Sequence, residues 1–135
     1  MLNAVTRAMA SGMTAPDWIR NALLESFVVH LRGLIDFLFN DSPRGDDVVA
    51  HDFFTTADTW LSVRPDFSAN LQAAKKRAGK EIAHLTYARL AVTPETKPWN
   101  FVSISDEVNA AMNAFLSNVS PIKLSDGWKH QANEK

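Results

Sequence analysis

The densest polar chemistry in this 135-residue chain lies in the run KKRAGKEIAHLTYARL, residues 75–90. Lys75, Lys76, Arg77 and Lys80 precede His84, Arg89 follows it, and Glu81 lies between Arg77 and His84. A guanidinium keeps its charge at every physiological pH, whereas an imidazole titrates near neutrality, so the first can hold negative charge while the second moves a proton. On a helix, Arg77 and His84 are two turns apart, roughly 10 Å along the axis. Lys75, Lys76 and Lys80 extend a positive patch suited to an anionic ligand. From 75 to 89 five cations stand against Glu81 alone, while residues 36–66 hold seven aspartates against two arginines. That asymmetry steers an anion to one side of the molecule. A solvated, lysine-rich helix face accounts for the same residues without a ligand.

Two further polar residues fall on apolar helix faces. His30 lies between Phe27 and Leu34, either as a buried histidine satisfied by a hydrogen bond or as a catalytic or ligand-binding imidazole. Arg89 shares the inward side of Ile82 and Leu85, where an unpaired charge is costly. A structural ion pair follows, with Glu25, Asp36 and Asp52 as candidate partners.

A metal site is a separate alternative. His30, His51, His84, Asp52 and Glu81 offer nitrogen and oxygen ligands suited to zinc, manganese or iron. Glu81-x-x-His84 is half of what a di-iron bundle uses, but a second such pair and an HExxH are both missing. A bundle binding metal through His30, His51 and His84 stays open as an alternative, and no cofactor is assigned. Phosphate-loop, dinucleotide, nucleophile-elbow and EF-hand motifs are absent from the sequence.

The elements that must position these residues read as helices. Residues 1–12 form a short one, with Leu2, Val5 and Met9 on one side. Thr14 is expected to cap the next, 16–40, with Pro16 in its first turn and Asp17 near its positive end. Ile19, Leu23, Phe27, Leu34, Phe37 and Leu38 share its inward face, opposite Asn21, Glu25, Arg32 and Asp36. A third helix is expected over 46–62, carrying Val48, Val49, Phe53, Phe54, Trp60 and Leu61. A fourth spans 69–92, weakened by about 1 kcal/mol at Gly79. A fifth covers 105–118, and 120–135 read as a partly ordered tail. No sustained period-2 run occurs, so the expectation is all-α: one domain, 1–135, a compact bundle of four to five helices with short loops.

Composition agrees. A chain this long buries roughly two thirds of its unfolded surface and needs no staple. It contains no cysteine, which excludes disulfides and thiolate metal sites and suits a reducing compartment. The formal net charge of −1 gives no global nucleic-acid footprint. The N-terminal segment has no apolar h-region, and the most apolar stretch, 18–39, is interrupted by Arg20, Glu25, His30, Arg32 and Asp36. No membrane partner and a cytoplasmic setting are expected.

In the segment RAGKEIAH, Arg77, six intervening residues and His84 resemble the arginine–x(4–6)–histidine pattern of the HEPN superfamily. That resemblance covers eight residues together with helix order. It implies a small all-α bundle, frequently a homodimer, that acts as a metal-independent RNA endonuclease or as a nucleic-acid or toxin–antitoxin component. By position, His84 would transfer a proton at the RNA 2′-hydroxyl or leaving oxygen, and Arg77 would hold the scissile phosphate. Lys75, Lys76 and Lys80 would bind the RNA backbone. The competing expectation is a non-catalytic, dimeric protein-interaction module. Among Trp18, Trp60, Trp99 and Trp128, Trp60 is expected in the core and Trp99 at the surface.

Overall fold

A computed structural model describes residues 1–83, 87–93 and 98–125, with the backbone alone at 82, 83, 88 and 89. Among these residues are five α-helices and no strand, so the fold is all-α as expected. They are α1 (Leu2–Ala10), α2 (Asp17–Phe39), α3 (Ala57–Val63), α4 (Ala69–Arg77) and α5 (Phe101–Asn118). None is long and apolar enough to cross a membrane. The chain divides into two compact units, Met1–Ile35 with Phe67–Val108 and Asp36–Asp66 with Asn109–Lys135.

In the first unit, α1 buries Leu2, Val5 and Thr6, one face at helical spacing. The Thr6 and Ser105 hydroxyls, both buried, lie 2.6 Å apart and tie α1 to α5. Gly12, at φ +67°, turns the chain after α1 in the left-handed region that costs glycine little. The first turn of α2 starts on the Pro16 carbonyl, which accepts from Ile19 N (3.0 Å) and Arg20 N (3.2 Å). The cap expected at Thr14 therefore falls two residues later, because proline's fixed φ and its carbonyl open the helix.

The buried line of α2 in this unit is Phe27, Val28, Leu31 and Ile35. It lies further round the helix than the expected face, leaving Ile19, Leu23 and Leu34 half-buried. The Ser68 hydroxyl caps α4 by accepting from Leu71 N at 3.0 Å. It also donates to the Glu107 carboxylate, which accepts from Asn70 Nδ2 at 2.6 Å. Two residues at the start of α4 thus hold one carboxylate of α5. Asn100 caps α5, its side-chain oxygen accepting from Ser103 N at 3.3 Å and its carbonyl from Ile104 N at 3.1 Å. This asparagine starts α5 at Phe101, ahead of the expected residue 105.

The single helix expected over 69–92 is not continuous. α4 ends at Arg77, a π-helical turn follows over Ala78–Ala83, and a 3₁₀ segment covers Tyr87–Ala91. Gly79 sits inside the π turn, where weak helix preference allows the wider winding.

In the second unit the expected helix over 46–62 is replaced by a 3₁₀ turn, Ala50–Phe53, and by α3. Asp52 starts that turn by accepting from Val49 N at 2.9 Å, and Phe54 and Thr56 are extended. The break places Phe54 flat against Trp60, ring centres 5.6 Å apart. Phe115 of α5 meets Phe37, Phe53, Phe54 and Trp60 edge-on, with centroids 5.2–5.9 Å apart. Trp60 is buried, as expected, and its indole N–H donates to Leu38 O at 3.1 Å.

Arg64 clamps Asp41 in the same unit, its two terminal nitrogens 2.7 and 3.2 Å from the two carboxylate oxygens. The hydrogen bond from Arg64 holds the Asp41 carboxyl below its ordinary range. Burial opposes this slightly, and the charges of Arg64 and His51 add to the lowering. A depressed carboxylate pKa contributes stability above the unfolded value and loses it as pH falls through the folded one. Asp41→Asn is therefore expected to cost less than about 1 kcal/mol at neutral pH, since the Asp41 side chain stays 59% exposed. In urea unfolding, the gap to wild type should close only in acid below the usual carboxylate range. A gap unchanged at acid pH would contradict this assignment.

Candidate functional site

The face of α4 that carries the lysines opens into a groove of about 540 Å³, entirely within the first unit. Lys75 and Lys76 reach it from α4, Lys80 from the π turn and Arg32 from α2. Among the described residues no carboxylate lines it; Phe67, Gln72 and Gly79 complete the described lining. Gln72 Nε2 donates to Phe67 O at 2.7 Å and so fixes the loop that brings the phenyl ring to the groove. Four cations around one concave surface raise the local potential, which an anion relieves. Lys76 and Lys80 are exposed, whereas Lys75, Arg32 and Phe67 are half-buried. The lysine side chains therefore present charge to water while Phe67 offers part of a flat apolar face.

Arg77 does not line this groove. Its Nε donates to Glu81 Oε2 at 2.7 Å and a terminal nitrogen donates to Pro98 O at 2.8 Å. Its guanidinium also lies 4.4 Å from the centre of the Trp99 ring, a cation–π contact. Arg77 and Glu81 side chains each retain 21% exposure, so this is a partly desolvated pair. Trp99 meets Phe27 edge-on at 6.1 Å, and Phe27 meets Phe101 at 4.8 Å. The surface position expected for Trp99 is therefore wrong: it is 7% exposed, covered by the guanidinium and by Phe27. A loop tryptophan between Pro98 and Asn100 is drawn inward because Arg77 supplies a cation for its face.

His84 lies outside the described residues, and so does the Arg77–His84 geometry. The Arg89 side chain, expected in an ion pair, and Trp128 are likewise outside them. His30 and Asp36 are half-buried, and Glu25 is exposed. Glu25 stays on the polar stripe of α2, away from the inward face through Leu31 and Ile35. His51 Nε2 is 3.6 Å from Asp52, whose carboxylate also caps Val49 N. Among the described residues no three His, Asp or Glu side chains group as they would around a metal ion.

Three groove residues were not singled out by motif. Arg32 reads in sequence as part of the polar stripe of α2, Phe67 as a loop residue and Gln72 as helix surface. Nothing in their local spacing links them to Lys75–Lys80; only their common place around the groove does. Comparison with known proteins assigns no family: no family model matches the chain, and no curated protein or solved structure matches it significantly.

Proposed function

We propose that this chain is an HEPN-like helical protein that binds RNA, with the backbone phosphates held in the groove of Arg32, Lys75, Lys76 and Lys80. The observation that carries the reading is the lining itself, four cations from α2, α4 and the π turn with no carboxylate among the described lining residues. Phosphate contacts dominate nucleic-acid affinity, and aromatic faces stack on unpaired bases, the part open to Phe67. The π turn that brings Lys80 to the groove is a kind of irregularity common at functional sites. A homodimer and a cytoplasmic setting belong to the same proposal, the first read out by the molar mass in solution.

The geometry supports the binding half of this reading more than the cutting half. Catalysis by the resemblance needs His84 with Arg77, and Arg77 already spends donors on Glu81 and Pro98 O. An arginine has five N–H donors, so a phosphate would share this guanidinium rather than own it. The test is RNA cleavage without added metal by wild type, His84→Ala and Arg77→Ala, with binding followed in parallel by fluorescence anisotropy. Binding is expected in wild type and His84→Ala alike. Chemistry at His84 and Arg77 requires both variants to lose about 10²- to 10⁴-fold in rate. Equal cleavage in all three, or none in any, removes the nuclease and leaves an RNA-binding component.

One observation favours a protein-interaction module as a second reading. Trp18 and Val29 on α2 are 72% and 67% exposed, and their spacing puts them on one helix face. RNA affinity that is absent at low salt, together with a dimer lost on Trp18→Ala, would select it.

A further inference from the structure

A cavity of about 650 Å³ in the first unit lies between α1, the start of α2 and the start of α5 and shares no described lining residue with the lysine groove. Its size falls in the range of about 300–1,000 Å³ that small-molecule sites occupy. Its walls divide chemically. Met9, Leu24, Trp99 and Phe101 supply thioether, aliphatic and aromatic surface, while Asp17, Arg20 and Asn21 place an anion, a cation and a carboxamide together on the first turn of α2. Methionine adapts its shape to flat ligands, and Trp99 is held in place by Arg77 and Phe27.

The charged pair is only loosely engaged. Arg20 and Asp17 approach to 4.0 Å, with side chains 61% and 95% exposed. A seated arginine–carboxylate pair closes to about 2.7–2.9 Å. The two charges therefore stand beside each other at the apolar wall without satisfying one another. That is the complement of a molecule carrying both an ammonium and a carboxylate on one carbon next to a large apolar group.

We infer that this cavity binds a zwitterion with an aromatic side chain, an aromatic α-amino acid in chemical class. The ligand carboxylate pairs with Arg20, its ammonium pairs with Asp17, Asn21 adds a hydrogen bond, and the ring lies among Met9, Leu24, Trp99 and Phe101.

The experiment is isothermal titration calorimetry of the full chain with L-phenylalanine, L-phenylalaninamide and 3-phenylpropionate. The last two lack the carboxylate and the ammonium respectively. L-Phenylalanine is expected to bind at least tenfold more tightly than either, roughly the loss of one charge-assisted hydrogen bond. Arg20→Gln, at an exposed position, should weaken L-phenylalanine by about the same factor. Met13→Trp should abolish binding by filling the cavity, with unfolding in urea confirming that the variant is folded. No heat with any of the three ligands at millimolar concentration overturns the inference. So does 3-phenylpropionate binding as tightly as L-phenylalanine, or wild-type affinity in both variants.

Discussion

Trp60→Ala lowers the free energy of unfolding by about 3–5 kcal/mol, the usual cost of removing a buried large aromatic. A domain of this size is stable by about 5–15 kcal/mol in all, so the variant loses a large share of its margin. The expectation rests on how many partners the indole has. Trp60 is 1% exposed, stacks on Phe54 at 5.6 Å, receives the edge of Phe115 at 5.8 Å and donates to Leu38 O at 3.1 Å. Removing it leaves a cavity lined by rings that cannot follow one another inward, since Phe115 already meets Phe37 and Phe53. Trp60→Phe separates the two contributions. It keeps one six-membered ring and drops the N–H together with the rest of the indole, for a loss of about 1–2 kcal/mol. Arg64 softens that loss, because one of its terminal nitrogens also reaches Leu38 O, at 3.4 Å. Urea unfolding followed by circular dichroism reads both values. A loss under about 1 kcal/mol in Trp60→Ala would mean that this cluster is not the core of its unit.

Reversing two charges in the groove, Lys76→Glu with Lys80→Glu, weakens RNA binding by at least about 30-fold at low salt. Each lost attraction in solvent is worth about 1 kcal/mol at contact, and each new repulsion adds a comparable amount. Both lysines are exposed, and their replacement relieves repulsion with Lys75 and Arg32, so stability should stay within about 0.5 kcal/mol of wild type. Folding and binding are therefore separable in this variant. Arg7→Glu, an exposed position on α1 outside the groove lining, is the control and should leave the affinity within about twofold, because it removes no groove cation. Equal losses in control and groove variants would reduce the groove to general attraction between charges.

Helical periodicity made the fold class legible, and the boundaries of α1 and α2 came within a residue or two. The failures have local physical causes. The helix expected over 46–62 depended on apolar spacing alone. Asp52 turning back to cap Val49 N and the extended Phe54 and Thr56 interrupt it, so that a stacked ring pair can form. The helix over 69–92 was flagged only at Gly79, and that is where α geometry gives way to π. Lys75, Lys76 and Lys80 are legible as a positive patch because charge density is a property of the string. Arg32 is not, since its partners lie some forty residues further along the chain. Trp99 was misplaced because a cation–π contact between Arg77 and a loop tryptophan leaves no periodic signature. The resemblance implies a phosphate-holding role for Arg77, and in the structure its guanidinium donates to Glu81 and Pro98 O and lies over Trp99.

The central claim, that the groove holds RNA by its phosphates, is tested most directly by the salt dependence of affinity for a short single-stranded RNA. Each neutralised phosphate on a single strand contributes about −0.7 to the slope of log K against log salt concentration. Four groove cations predict a wild-type slope near −3, and Lys76→Gln with Lys80→Gln should flatten it by about 1.4. A slope left unchanged by the double substitution would contradict the account, because the phosphates would then be held elsewhere on the chain.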